Sequence, residues 1–279
     1  MIVVASTPSW MTPDPTRAAP DLKTDVAHPA RVYDYVLGGK DNFPADRAAA
    51  EQALGGWPSL STSMRQNRAF MVRAARYLAA EAGIDQFLDV GTGIPTSPNL
   101  HEVVQEVTPE ARVVYVDNDP IVLAHARALL TGDELGRIAC LDADLRDPDA
   151  ILTAPELLDT LDLTRPVALS VIAIAQFVPD DVAYHAVARL MELLPAGSLL
   201  ALSTVTADSD PNILRVVRTY NDRGMFTVAR TRSQVEAFFD GLVLVEPGVT
   251  LVHRWRPDAD VARVADNQVG MYGGIARKP

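Results

Sequence analysis

A chain of 279 residues, 48% of them hydrophobic, can bury a sizeable core, and its length suits one large α/β domain or one domain with an appendage. The formal net charge of -11 argues against a protein that holds long stretches of nucleic acid, because neutralising phosphates takes many clustered Lys and Arg. The single cysteine, Cys140, excludes an internal disulfide framework and a multi-cysteine zinc site, and no apolar run approaches the roughly 20 residues of a bilayer span.

The chain opens Met1-Ile2-Val3-Val4-Ala5 with no Lys or Arg ahead of a run too short for a signal-peptide core, so a cytoplasmic protein is expected. Residues 1 to about 27 carry Pro8, Pro13, Pro15 and Pro20 among small polar residues and read as an extended arm. Residues 28–82 read as a helical cover without strands, broken by Gly38-Gly39, Gly55-Gly56 and Pro58. On a helix from about Met64 to Ala80, Phe70, Met71, Ala74 and Leu78 share one face, and Asn67 falls in its middle. A polar residue on a buried face needs a partner, so Asn67 is expected to point into a ligand site or to brace the Tyr33 to Asn42 segment. Arg65, Arg68, Arg73 and Arg76 lie broadly opposite and read as a solvated stripe.

From residue 83 to 279 short β-branched runs alternate with amphipathic helices, the pattern of a mostly parallel sheet covered on both faces. The predicted strands are Gln86 to Val90, Arg112 to Val116, Arg137 to Leu141, Val167 to Ile174 and Ser198 to Thr204. Leu100, Val103, Val104 and Val107 form a helical stripe, with Ser97 as expected N-cap and Pro98 at the first helical position. Asp119-Pro120 opens the helix Ile121 to Leu130, and Ser233 with Glu236 reads as a later capping box. Leu242 to Val245, Val249 to Trp255 and Met271 to Ala276 are expected to finish the sheet with an antiparallel strand pair.

The chemistry concentrates at the ends of the first three strands. Phe87-Leu88-Asp89-Val90-Gly91-Thr92-Gly93 is a strand, a glycine turn and then a helix, expected to bring backbone N–H groups close to a ligand. Asp117 ends the second strand, where a carboxylate accepts hydrogen bonds from a ribose diol, and Asp144 with Leu145 follows the third, suited to an adenine amino group and ring face. A dinucleotide site wants a third glycine where this chain has Thr96, and Asp89 would repel a pyrophosphate but suits the cationic end of a methionine moiety. The expected cofactor is therefore S-adenosylmethionine. His28, His101, His125, His185 and His253 show no metal-ligand spacing, and no metal is expected; Asp117, Asp119, Asp142 and Asp144 are read as strand-end residues, not as a metal cluster.

Several longer motifs run together with these: Ala30-Arg31-Val32-Tyr33-Asp34-Tyr35-Val36-Leu37-Gly38-Gly39-Lys40-Asp41-Asn42-Phe43, Arg65-Gln66-Asn67-Arg68-Ala69-Phe70, Val116-Asp117-Asn118-Asp119-Pro120, Phe177-Val178-Pro179-Asp180 and Tyr272-Gly273-Gly274. On these the chain resembles, from about Pro29 to Pro279, an S-adenosyl methyltransferase family once catalogued as a domain of unknown function. The resemblance implies a class I methyltransferase (Rossmann-like) α/β fold with the N-terminal helices closing over the cofactor. The cofactor site is expected to be drawn from Tyr33, Asn42, Asn67, Asp89, Gly91, Thr92, Gly93, Asp117, Asn118, Asp144, Leu145 and Gln176. Many members carry a histidine just before the Phe-Val-Pro-Asp segment where this sequence has Gln176, so no catalytic base is assigned, and Gln176 is read as a pocket-lining amide. The expected reaction is in-line methyl transfer to a small-molecule acceptor held between sheet edge and cover. A non-catalytic module that binds the cofactor or its product, and a nicotinamide-dependent oxidoreductase, are the rival readings.

Overall fold

The apolar runs assemble into one sheet. The computed structural model describes residues 22–129, 135–257 and 264–279; most of the expected arm, and Leu130 at the end of its predicted helix, lie outside them. Strands β1 (Gln86–Val90), β2 (Arg112–Asp117), β3 (Arg137–Asp142), β4 (Ala168–Ile172) and β5 (Leu199–Val205) pair in parallel. They are followed by β6 (Val243–Leu244), β7 (Thr250–Leu251) and β8 (Met271–Arg277), with β8 antiparallel to β5 and both short strands antiparallel to β8. The order is β3-β2-β1-β4-β5-β8-β6, with β7 also on β8. The chain leaves β1 toward β2 on one side and meets β4 on the other, so a crevice opens at the carboxyl ends of β1 and β4.

The period of two along each strand sorts the core into two faces. Leu88, Val90, Val114, Val116, Leu169 and Val171 join one buried cluster, together with Val187 and Leu190 of the helix Asp180–Leu193. Phe87, Val113, Tyr115 and Ala168 join the other, with Phe70, Ala74 and Leu78 of the N-terminal helices. Both faces are covered, which is why these strands read as continuous apolar runs. The same alternation places Asp89 and Asp117 on the face that the N-terminal helices cover.

Those helices are α1 (Pro29–Leu37), α2 (Pro44–Gly56) and α3 (Leu60–Arg76), the last running on as a π-helical turn over Tyr77–Glu81. Val32, Ala49, Ala53, Trp57 and Leu60 pack with Ile213, Val216 and Tyr220 of a later helix, Ile213–Asp222, each buried Val, Leu or Ile side chain contributing about 1.5–3 kcal/mol. Polar groups fix the turns of this layer. The Asp46 carboxylate is fully buried and accepts from the backbone N–H of His28 (2.8 Å) and Phe43 (2.8 Å) and from Arg31 Nε (3.2 Å). Gly273 of β8 lets α3 lie directly on the strand: a Cβ there would stand 3.0 Å from the Phe70 ring and from Val252.

Four expectations shift, two because a neighbouring residue in the same turn makes the cap and two because a tertiary partner competes with the local signal. The N-cap expected at Ser97 falls at Asn99, with helix α4 over Leu100–Gln105; the Ser97 hydroxyl donates to Glu102 (2.9 Å), whose carboxylate also receives the Asn99 N–H (2.7 Å). The capping box expected at Ser233 and Glu236 is formed by Thr231 and Gln234, and Glu236 pairs with Arg232 instead (2.9 Å). The strand expected over Val249 to Trp255 keeps only Thr250–Leu251 in the sheet. Arg73, expected on a solvated stripe, is buried and donates to the carbonyls of Val252 (2.7 Å) and Trp255 (3.0 Å), turning that segment into a 3-10 helix. Arg65 and Arg76 are exposed as expected.

Replacing Asp46 by Ala takes from the buried Arg31 guanidinium the nearer of its two carboxylates and leaves two backbone N–H groups without an acceptor. The expected loss is about 3 kcal/mol or more in urea unfolding, with the midpoint moving and the slope unchanged.

Candidate active site

The carboxyl ends of β1, β2 and β4 floor a cleft of about 480 Å³, roofed by α1 and α3. Gly91 and Gly93 have φ of +77° and +68°, and a Cβ on Gly91 would meet Ile174 at 2.5 Å, so the turn permits no side chain where the chain crosses β4. The expected N–H cradle is not there. Gly91 and Thr92 donate to the Val116 carbonyl (2.8 and 3.2 Å), and Gly93 donates to Asp117 Oδ2 (2.9 Å). The turn is lashed to the end of β2 and offers a ligand bare backbone rather than donors, which suits a group without phosphate.

Asp117 is buried and its Oδ1 also accepts the Asp119 N–H (2.9 Å); each oxygen keeps a lone pair, enough for two hydroxyls. Burial raises its pKa against those two N–H groups. Beyond it, Asn118 donates to Asp144 (2.6 Å), Arg146 closes on the same carboxylate and holds its pKa down, and Leu145 is buried beside them on the cleft wall. Asp142 is exposed and does not line the cleft. Asp119 ties the sheet to the cover, standing 2.9 Å from His28 Nδ1 and 3.7 Å from Arg31. Burial works to raise its pKa, but His28 and Arg31 leave it lowered.

At the other end Asp89 lies at the cleft floor, where burial pushes its pKa up to about 6, the Arg68 guanidinium offsetting only part of the effect. Arg68 also lines the cleft and is not the solvated residue its helical position suggested. One of its nitrogens donates to the carbonyls of Thr96 (2.5 Å) and Pro98 (2.8 Å), and the other two make no hydrogen bond among the described residues. Asn67 is buried and joins cover to sheet: its Oδ1 accepts from Ser203 Oγ (2.7 Å) and its Nδ2 donates to Tyr33 Oη (3.3 Å), which donates in turn to the Met64 carbonyl (3.0 Å). Tyr33, Asp34 and Asn67 all line the cleft.

Two of the predicted site residues stand elsewhere. Asn42 does not reach the cleft; it donates to Asp34 Oδ2 (2.8 Å) and the Gly39 carbonyl (3.1 Å), and so braces the turn that positions Asp34. Gln176 lies in a side chamber of about 50 Å³ that shares Tyr33, Asn67, Ala173 and Phe177 with the main cleft. Ala173, at the partition, has φ of +56°, a strained value for a residue with a Cβ. Sequence reasoning missed His28, Arg68 and Ala173; only the stretch Arg65 to Phe70, shared with the family, hinted at Arg68. Among the described residues no group of three or more His, Cys, Asp or Glu is placed to hold a metal, and no helix is long and apolar enough to cross a membrane.

A family profile described as S-adenosyl methyltransferase matches residues 15–279. The chain belongs to the S-adenosyl methyltransferase family. A DUF574 family protein from Streptomyces avermitilis MA-4680 shares 55% identity over 93% of this chain and 100% of its own, with a TM-score of 0.91. A candidate methyltransferase from Thermobifida fusca YX shares 41% identity over 92% and 97%, with a TM-score of 0.86. The plantazolicin methyltransferase in complex with S-adenosylhomocysteine, 11% identical with a TM-score of 0.50, shares the class I fold. A comparison with curated proteins finds no match. The chain is thus a methyltransferase, and its cofactor is S-adenosylmethionine.

The raised pKa of Asp89 makes a signed prediction for the ligand-free protein. Its folded value of about 6 stands above the ordinary 3.8, so the stabilising contribution is complete below about pH 4 and is lost as pH rises through about 6. Asp89→Asn is expected to match wild type in thermal unfolding near about pH 4 and to melt higher at about pH 7.5.

Proposed function

We propose that this methyltransferase acts on a small-molecule acceptor enclosed between the sheet edge and the N-terminal helices. The observation that carries the reading is the 480 Å³ cleft itself, with a second space beside it that shares the walls of Tyr33, Asn67 and Ala173. A cofactor seated along the strand ends leaves room for another ligand, which favours an enzyme over a module that only binds the cofactor. The -11 charge of the chain supports a small molecule over a nucleic acid. A cytoplasmic location suits its one cysteine, Cys140, a free thiol.

In this reading Asp117 receives the ribose diol, and Asn118, Asp144 and Leu145 bound the adenine. Asp89 faces the cationic part of the methionine moiety, and Arg68 its carboxylate. When bound, S-adenosylmethionine supplies a sulfonium methyl group: the acceptor's lone pair bonds to the methyl carbon as the carbon–sulfur pair returns to sulfur. The leaving group is already activated, so the protein's part is to align and to keep water out. Tyr33 and Asn67 do this by closing the roof through the bond to Ser203.

Calorimetry with S-adenosylmethionine and S-adenosylhomocysteine tests the reading, and absence of binding to both would end it. Arg68→Ala is expected to weaken S-adenosylhomocysteine by about tenfold or more while leaving 5′-methylthioadenosine, which lacks the carboxylate, unchanged. Gly91→Ala, which drives a methyl group into Ile174, is expected to abolish binding of both.

A further inference from the structure

The cleft has a charged half and an apolar half. Among the described residues its cationic side chains are all tied to the tips of β1, β2 and β3: Arg68 to the carbonyls of Thr96 and Pro98, His28 to Asp119, and Arg146 to Asp144. The acids Asp89, Asp117 and Asp144 stand on or just after the same strands, and Asp34 is held by Asn42 and the Asp41 N–H. On the other side, those of residues 172–178 and 224–226 that line the cleft carry no polar side chain. These two stretches form one wall. The Val228 N–H donates to the Gln176 carbonyl (2.9 Å), and the fully buried Arg230 guanidinium donates to the carbonyls of Ala175 (2.8 Å) and Val178 (3.0 Å). The turn after β4 is thus bonded, on either side of Phe177, to the segment that follows the helix Ile213–Asp222. The Phe177 ring stacks on Tyr220, with centroids 6.1 Å apart and planes within 13°, and the Tyr220 carbonyl accepts the Met225 N–H (2.9 Å). Phe226 comes next, 46% exposed and without a ring partner among the described residues. A lone exposed Phe is ordinary on a protein surface, but this one extends a fixed apolar wall to the rim of a ligand cleft, where a ligand would bury it.

We propose that the methyl acceptor is an uncharged aromatic molecule, packed against Phe177, Met225 and Phe226 beyond the tip of β4. The proposal rests on the methyltransferase reading of the cleft and narrows it. In that reading the ribose, ammonium and carboxylate of the cofactor take the charged half, and the acceptor is left the apolar one. A flat ring matches it: phenylalanine rings gain from aromatic geometry beyond the area they bury, and a methionine thioether adapts to a ring edge. A carboxylate or ammonium on this wall would lose its water with no opposite charge to replace it.

The test uses the full chain, labelled with nitrogen-15 and saturated with S-adenosylhomocysteine, titrated with 2-naphthol, decahydro-2-naphthol and 2-naphthoate. The three share a two-ring outline and are respectively a neutral aromatic, a neutral saturated alcohol and an aromatic anion. Naphthol is expected to move the backbone amide signals of Met225 and Phe226 and to bind about fivefold better than the saturated alcohol. The saturated alcohol is no less hydrophobic, so that ratio reads ring geometry rather than apolar area. Naphthoate is expected to bind about tenfold or more weaker than naphthol. In Phe226→Leu, which keeps an apolar side chain and loses the ring, the preference for naphthol over the saturated alcohol should fall below about twofold. The wild-type comparison stands even if the variant folds poorly. The saturated alcohol or naphthoate binding as well as naphthol overturns the proposal, and so do an unchanged preference in Phe226→Leu and the absence of any shift at Met225 and Phe226. Binding of S-adenosylhomocysteine is read in the same samples. If it persists while the probes fail, the aromatic acceptor falls and the cofactor reading stands; if it is absent, the cofactor reading falls and takes the proposal with it.

Discussion

The hydrogen bond from Ser203 to Asn67 fixes the distance between the sheet and its helical roof. An amide has one oxygen and one nitrogen to offer, and Asn67 spends them in opposite directions, on β5 and on Tyr33 of α1. Each bond contributes only about 1 kcal/mol, but a buried amide left unpaired costs about 1–3 kcal/mol. The arrangement is therefore close to all-or-none, and the roof has one position rather than a range. Ser203 also accepts from the Ala173 N–H, so the same bond reaches the strained residue that divides the cleft from its side chamber.

A second tie works at the far end of the site, over three residues of one strand tip. Asp117 spends an oxygen on Gly93 and so holds the glycine turn, while Asp119 holds His28 and Arg31 of the cover. Asn118 between them reaches across to Asp144. Floor, wall and roof are thus joined through β2, and the two glycines of the turn can offer neither side chain nor free N–H group because a neighbouring strand supports them.

Much of this was legible because each strand pairs its apolar run with a polar end. Asp89, Asp117 and Asp144 announce themselves by ending such runs, and Asn67 by breaking an apolar helical face. What stayed hidden depends on partners distant in the chain. A helical wheel gives Arg68 and Arg73 an angle but not a neighbour; α3 is covered on two sides, by the β1–α4 loop and by the segment after β7, and both arginines are claimed there. The direction of the turn's N–H groups was equally unreadable, since the Val116 carbonyl that takes them is set by strand pairing. Gln176 looked like one more cofactor contact because nothing local says that Ala173 would orient its amide.

Gly273 carries a consequence for how the family can vary. The Phe70 ring rests on that residue with no side chain between, one helical turn from Asn67, so the width of the cleft is gauged by backbone against ring. Residues lining the cleft can change in shape or polarity without altering that width. A single methyl group on the sheet face beneath α3, touching no ligand, would lift the roof by a few tenths of an ångström and loosen every fit beneath it.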